Sequence, residues 1–169
     1  IELSREVREE LLAGVERQRK RLQQLAHSNL SPSELRKREL CEVLSRGVRM
    51  TVDTNMFYRD DEIAAARELL KRGTERLEKL DAGASELELL GATLPAGESS
   101  LSKPLPIVGG YRSRIDNSVQ PYGLVLPSGW RPDSQEPMRL DVWLHGRGEK
   151  LSEVAFLRQH SRSVGEIAP

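Results

Sequence analysis

The spacing of the apolar residues changes once along the chain, and that change limits the fold more than any other feature. Up to residue 80 they recur every three or four positions; beyond residue 107 they alternate or cluster between turn residues. A three-four spacing lines one face of an α-helix, whereas alternation lines one face of a β-strand. The chain is therefore expected to form two units of different kind. Other features change at the same place. Most of the charged residues lie in 1–80, no aromatic precedes Phe57, and every proline except Pro32, together with both tryptophans, lies beyond it.

In the first unit, Leu3, Val7, Leu11, Val15, Gln18, Leu22 and Leu25 share a stripe, with Arg5, Glu9, Glu10, Glu16, Arg19 and Lys20 mostly on the solvated side. A second helix is expected to start at Ser31-Pro32-Ser33-Glu34. The Ser31 hydroxyl suits a free first-turn amide, Pro32 needs no amide partner there, and Glu34 reaches back to close a capping box. Leu40, Leu44, Val48 and Val52 continue the stripe, with Gly47 read as a weak point or stop. Asp60-Asp61-Glu62 then puts negative charge where a third helix begins, which its dipole favours. Ile63, Ala66, Leu70, Gly73, Leu77 and Leu80 follow on one face. Each stripe is about two positions per heptad wide, like a coiled-coil seam. Such helices are marginal alone in water, so they are expected to cover one another as a hairpin or three-helix unit, or to bind a partner.

Gly, Ala, Ser and Pro dominate residues 81–106, which read as a linker. Residues 107–115 and 119–126 flank Asp116-Asn117-Ser118, which suits a turn, and so predict a β-hairpin. Pro121 in its second half marks an edge or a bulge. Arg139-Leu140-Asp141-Val142-Trp143-Leu144-His145 alternates, with Leu140, Val142 and Leu144 on one face, and predicts a third strand stopped by Gly146-Arg147-Gly148. A short helix over 151–160 would follow, with Val154, Phe156 and Leu157 inward. The expected organisation is a helical accessory unit, 1–80, a linker, 81–106, and a strand-bearing part, 107–169, giving an α/β fold.

Composition excludes several classes. The 26 basic residues are balanced by 26 acidic ones, so there is no cationic surplus to drive nucleic-acid binding by counterion release. No run approaches the ~20 apolar residues of a membrane span. Cys41 is the single cysteine, which excludes an intrachain disulfide framework and a multi-cysteine zinc site, and fits a reducing or an oxidising compartment equally. The first residue is Ile1, so the chain is read as a piece of a longer one.

The segment with most chemistry in it is His145-Gly146-Arg147-Gly148-Glu149. Glycines after an apolar strand let a backbone amide approach a reacting carbonyl and point its N–H at a developing oxyanion. The same glycines also suit a plain turn. Arg147 could hold a substrate carboxylate bidentately or simply stand in solvent, and Glu149 could cap the next helix or pair with Arg147.

The strand running into His145-Gly146-Arg147-Gly148 resembles the loop after the third strand of α/β-hydrolases. The stretch Gly110-Tyr111-Arg112-Ser113-Arg114-Ile115-Asp116-Asn117-Ser118-Val119-Gln120-Pro121-Tyr122-Gly123-Leu124-Val125-Leu126-Pro127 resembles the first hairpin of prolyl-oligopeptidase-like serine hydrolases. The helical segment is similar to the N-terminal extension of one bacterial subgroup of them. The resemblance implies the first strands of an incomplete α/β-hydrolase sheet, acting on a small ester or peptide substrate through a nucleophilic serine. It further implies that the backbone of Gly146, Arg147 or Gly148 donates to the oxyanion, Arg147 being favoured, while His145 orders the loop. No Gly-x-Ser-x-Gly occurs in the chain. The nucleophile, acid and base would then come from the remainder of the hydrolase domain, in the same gene product or a second chain. No metal or organic cofactor, nucleic acid or membrane is implied.

The remaining candidates have plainer explanations. His27 and His160 lack metal-ligand spacing, Cys41 reads as a partly buried thiol, and Asp60-Asp61-Glu62 needs no cation to explain it. Trp130 could stack on a sugar, though packing against the hairpin suffices. The rival to the hydrolase is a non-catalytic module that binds a partner or forms a homo-oligomer through its helices.

Overall fold

A computed structural model describes residues 1–25, 30–94, 96–144 and 148–162. Helix α1 spans Arg5–Gln24, with the Ser4 hydroxyl accepting the Val7 amide at its start. Helix α2, Pro32–Asp53, opens on the expected capping box between Ser31 and Glu34. Helix α3, Asp61–Asp81, follows a bend at which Asn55 takes a left-handed φ of 53°. The three pack on one another. Leu11, Val15, Leu44, Val48, Val52, Phe57, Ala66 and Leu69 close the main core between them. Gln18 lies on the buried stripe, and its side-chain amide bonds the Leu70 carbonyl and the Thr74 hydroxyl. Gly73 leaves it the room, since a Cβ there would overlap the Gln18 amide.

Helix α2 is wider in its burial than one stripe. Besides Leu40, Leu44, Val48 and Val52, it buries Glu39, Cys41, Val43, Ser45, Gly47 and Thr51. The reason is position: α2 faces α1 and α3 on one side and the strands and last helix on the other. The expectation that Gly47 weakens or stops this helix is not met. α2 runs through it, and the missing side chain is a packing requirement of the last helix, whose Leu157 stands over it.

Residues 81–106 are more ordered than linker composition suggests. Helix α4, Glu86–Leu90, has its own capping box between Ser85 and Glu88 and ends at Gly91 with φ 75°. Leu89, Ala92 and Leu101 are buried. Strand β1, Leu105–Arg112, then pairs antiparallel with β2, Val119–Leu126, in a two-stranded sheet. Leu105 faces Leu126 and Arg112 faces Val119 without a bulge, and Pro121 sits opposite Gly110. The turn is held by the Ser113 amide on the Ser118 carbonyl and by Asp116 accepting from the Ser118 amide and hydroxyl.

The hairpin is buried on both faces. Ile107 and Leu126 pack with Ala92 and Leu101, joined by Trp130, while Val108 and Val119 join the main core. Gly110 lets β1 lie directly on α2: a Cβ there would sit 2.8 Å from the Glu39 carbonyl oxygen. The last helix, α5, spans Glu153–His160, with Val154 and Leu157 fully buried. The architecture is thus a mixed one of five helices and one two-stranded antiparallel sheet among the described residues.

A further expectation needs correction. Residues 139–144 form no strand, and none of the described residues pairs with them. Leu140 and Val142 are 71% and 73% exposed, Trp143 and Leu144 89% each. The alternation is present, but among the described residues the backbone has no strand beside it with which to share its amides and carbonyls.

Candidate functional site

The candidate turn lies between that exposed stretch and α5. His145, Gly146 and Arg147 fall outside the described residues, so the expectations placed on them are not addressed by the geometry. Gly148 and Glu149 are exposed. Gly148 packs close to Leu151, whose Cβ would stand 3.1 Å from a Cβ added to the glycine. Ser152, only 2% exposed, then caps α5 by accepting the Ala155 amide at 3.0 Å. Asp141 pairs with Arg139 at 2.9 Å, and both are exposed.

Beyond the turn, the chain is anchored to the helical unit. The Val154 amide donates to the Thr51 hydroxyl of α2 at 3.3 Å. Leu157 fills the space over Gly47, where an added Cβ would come within 2.5 Å of it. Arg158 pairs with Asp61 of α3 at 2.7 Å. The Arg158 bond is the main reason that the Asp61 carboxyl titrates below its usual range. Beside this anchor runs a groove of about 330 Å³ lined by Met50, Met56, Tyr111, Pro121, Leu151 and Phe156.

Comparison with protein-family models, curated proteins and solved structures finds no match. The functional reading therefore rests on residues and geometry.

The other candidates take structural places. Cys41 is buried, and burial pushes its thiol up to about 12 against a smaller opposing effect of Arg76. A thiol so held is protonated near neutral pH and is a poor nucleophile. Asp61 bonds Arg158 and Arg59, and Glu62 accepts the Tyr58 amide. Among the described residues no group of three His, Cys, Asp or Glu side chains is placed to hold a metal ion. The His160 ring stacks at a tilt on Phe156, 4.4 Å between centroids, and lies over Gly123. His27 lies outside the described residues. None of the described helices is long and apolar enough to cross a membrane.

Sequence reasoning missed Arg76. Its guanidinium is buried between α2, α3 and β1, donating to the Leu40 carbonyl and, at 2.8 Å, to the Val108 carbonyl. Burial lowers it to about 10, which leaves it charged at neutral pH. The available signal was a basic residue three positions after Gly73, on the stripe that also carries Leu77.

Proposed function

We propose that the chain is the N-terminal part of a prolyl-oligopeptidase-like serine hydrolase that cleaves esters or peptides, and that the glycine-containing segment ending at Gly148 supplies one oxyanion donor. The observation that carries this reading is the order of elements. A hairpin seated on the helical unit is followed by an alternating apolar stretch with no paired strand among the described residues, then by the glycines of the sequence Gly146-Arg147-Gly148, and then by a helix that packs back on the core. An exposed run of Leu140, Val142 and Leu144 is unusual surface for a soluble domain and is the composition of a strand awaiting neighbours. In the reaction, a serine supplied by the rest of the domain attacks the substrate carbonyl while a histidine takes its proton. The Arg147 amide, with a second donor, stabilises the tetrahedral oxyanion; its collapse expels the alcohol or amine, which takes the proton from the histidine, and a water activated by the same histidine then hydrolyses the acyl-serine. Losing one such donor typically lowers the rate ~10²–10³-fold.

The rival reading, a helical interaction module, draws less support, because the stripes of α1, α2 and α3 face one another and the hairpin. The experiment is to treat the complete gene product with a fluorophosphonate probe and record intact mass. Labelling of a serine outside residues 1–169 supports the hydrolase. A single 19 kDa species that folds cooperatively and stays unlabelled overturns it.

A further inference from the structure

In an antiparallel pair, facing residues alternate between those that bond each other and those whose N–H and C=O point outward. The phase of the hairpin is fixed at its turn, where the Ser113 amide bonds the Ser118 carbonyl. Counted from there along the register, Pro106, Val108, Gly110 and Arg112 of β1 turn their main-chain groups outward, as do Val119, Pro121, Gly123 and Val125 of β2. Two details agree with that phase. Pro106 and Pro121, which have no N–H, both fall on outward positions, and the Val108 carbonyl bonds a side chain outside the hairpin. That side chain is Arg76, and it closes the outer edge of β1. It is only 4% exposed, takes the Val108 carbonyl at 2.8 Å and also holds the Leu40 carbonyl of α2. The outer edge of β2 is different. Gly123 is exposed and Val125 half-buried. Among the described residues no donor or acceptor meets the outward main-chain groups of Pro121, Gly123 or Val125. Leu124 and Trp130, close to that edge, are only partly buried.

We infer that the sheet grows on one side only, and that the main-chain groups of Pro121, Gly123 and Val125 are the docking edge for a strand from the rest of the hydrolase domain. This rests on the hydrolase reading. An open strand edge is a template for another strand, and strand addition draws its affinity from main-chain bonds. The edge presents an uneven pattern: Gly123 and Val125 offer an N–H and a C=O each, Pro121 a C=O alone. The strand that fits is extended, donates but does not accept beside Pro121, and carries an apolar side chain to cover Leu124 and Trp130. The other strand-like run of this chain, residues 139–144, lies unpaired rather than on this edge, so the occupant is drawn from the remainder of the domain. On the β1 side the same addition would have to expel the Arg76 guanidinium, leaving a buried charge without its acceptors.

The test is amide hydrogen exchange in the complete gene product, resolved to single residues by NMR. Tyr122 and Leu124, whose amides face β1, are the internal references. With a strand docked, the Gly123 and Val125 amides should exchange about as slowly as those two, at least about 100-fold slower than an open amide. They should also show cross-strand nuclear Overhauser contacts to a residue outside 1–169, in a protein with the mass of one copy. Fast exchange at Gly123 and Val125 beside slow exchange at Tyr122 and Leu124, in a protein that takes the fluorophosphonate, overturns the docking edge and leaves the hydrolase standing. Contacts to residues 139–144 instead put that run on the edge and overturn it too. Protection that is lost on dilution, with a two-copy mass, gives the edge to a second copy and again overturns it. A protein that takes no fluorophosphonate overturns the hydrolase reading, and the docking edge falls with it.

Discussion

Two parts of this chain carry strand-like apolar residues, the hairpin and the run around Leu140, and only the hairpin is paired. β1 pairs along its whole length with β2 and lies on α2, so that Ile107 and Val108 are almost wholly removed from water. The stretch around Leu140 has comparable side chains, yet its apolar residues stand in solvent and Arg139 pairs with Asp141 in the same stretch. The difference teaches that alternation specifies which face a strand would bury, not that anything is present to bury it. Backbone amides and carbonyls need partners, and a strand obtains them only from a neighbour.

The most direct test of that difference removes the same kind of side chain from each stretch. Ile107→Ala should destabilise the fold by about 2–5 kcal/mol, whereas Leu140→Ala should fall within about 0.5 kcal/mol of wild type. Urea titration followed by circular dichroism measures both, and comparable losses would mean that the second stretch is covered in solution. Arg76→Met asks what holds β1 in place. It removes the charged donor that ties the Leu40 carbonyl of α2 to the Val108 carbonyl of β1, at about 1.5–3 kcal/mol for each bond lost. Faster hydrogen exchange in β1 than in α1 would show that the hairpin is the part released.

Gly110→Ala tests how closely β1 seats on α2. The added carbon meets the backbone oxygen of Glu39, which cannot swing aside, and the expected loss is about 1–3 kcal/mol. A urea midpoint unchanged from wild type would show that the hairpin has room to rise. The smallest effect is electrostatic. The Asp61 carboxyl titrates lower in the folded than in the unfolded chain, chiefly through Arg158. Its contribution is therefore complete above the ordinary aspartate value of about 3.9 and fades as pH falls through the lower folded value. Both partners are about one-third exposed, so salt should weaken the effect. Thermal midpoints between pH 5 and about 2 should fall less steeply in Asp61→Asn than in wild type.

The helices were legible because their signals are local. The Ser31–Glu34 box and the three-four spacing act within a few residues, and α1, α2 and α3 begin close to where those signals lie. α4 was missed although Ser85 and Glu88 form the same kind of box, because five residues are too few to show a period. Gly47 was misread for a different reason. Glycine weakens an isolated helix, but here its value is the volume it yields to Leu157, which sequence spacing cannot show. The third strand was read from a correct alternation and failed for want of a neighbour. Of the candidate site, the glycine turn was visible as a motif. The anchoring of α5 through Thr51 and Asp61 was not, since those contacts join residues about a hundred positions apart.

That separation has a consequence during synthesis. α1, α2 and α3 can meet once residue 81 has been made, but Val154 and Leu157 close one side of their core. At the usual 5–20 residues per second, the ribosome needs roughly 4–15 s to travel from residue 81 to residue 157. For that interval the nascent bundle carries an open apolar wall over Gly47 and Val48, a surface on which chaperones act and against which premature release would be most damaging.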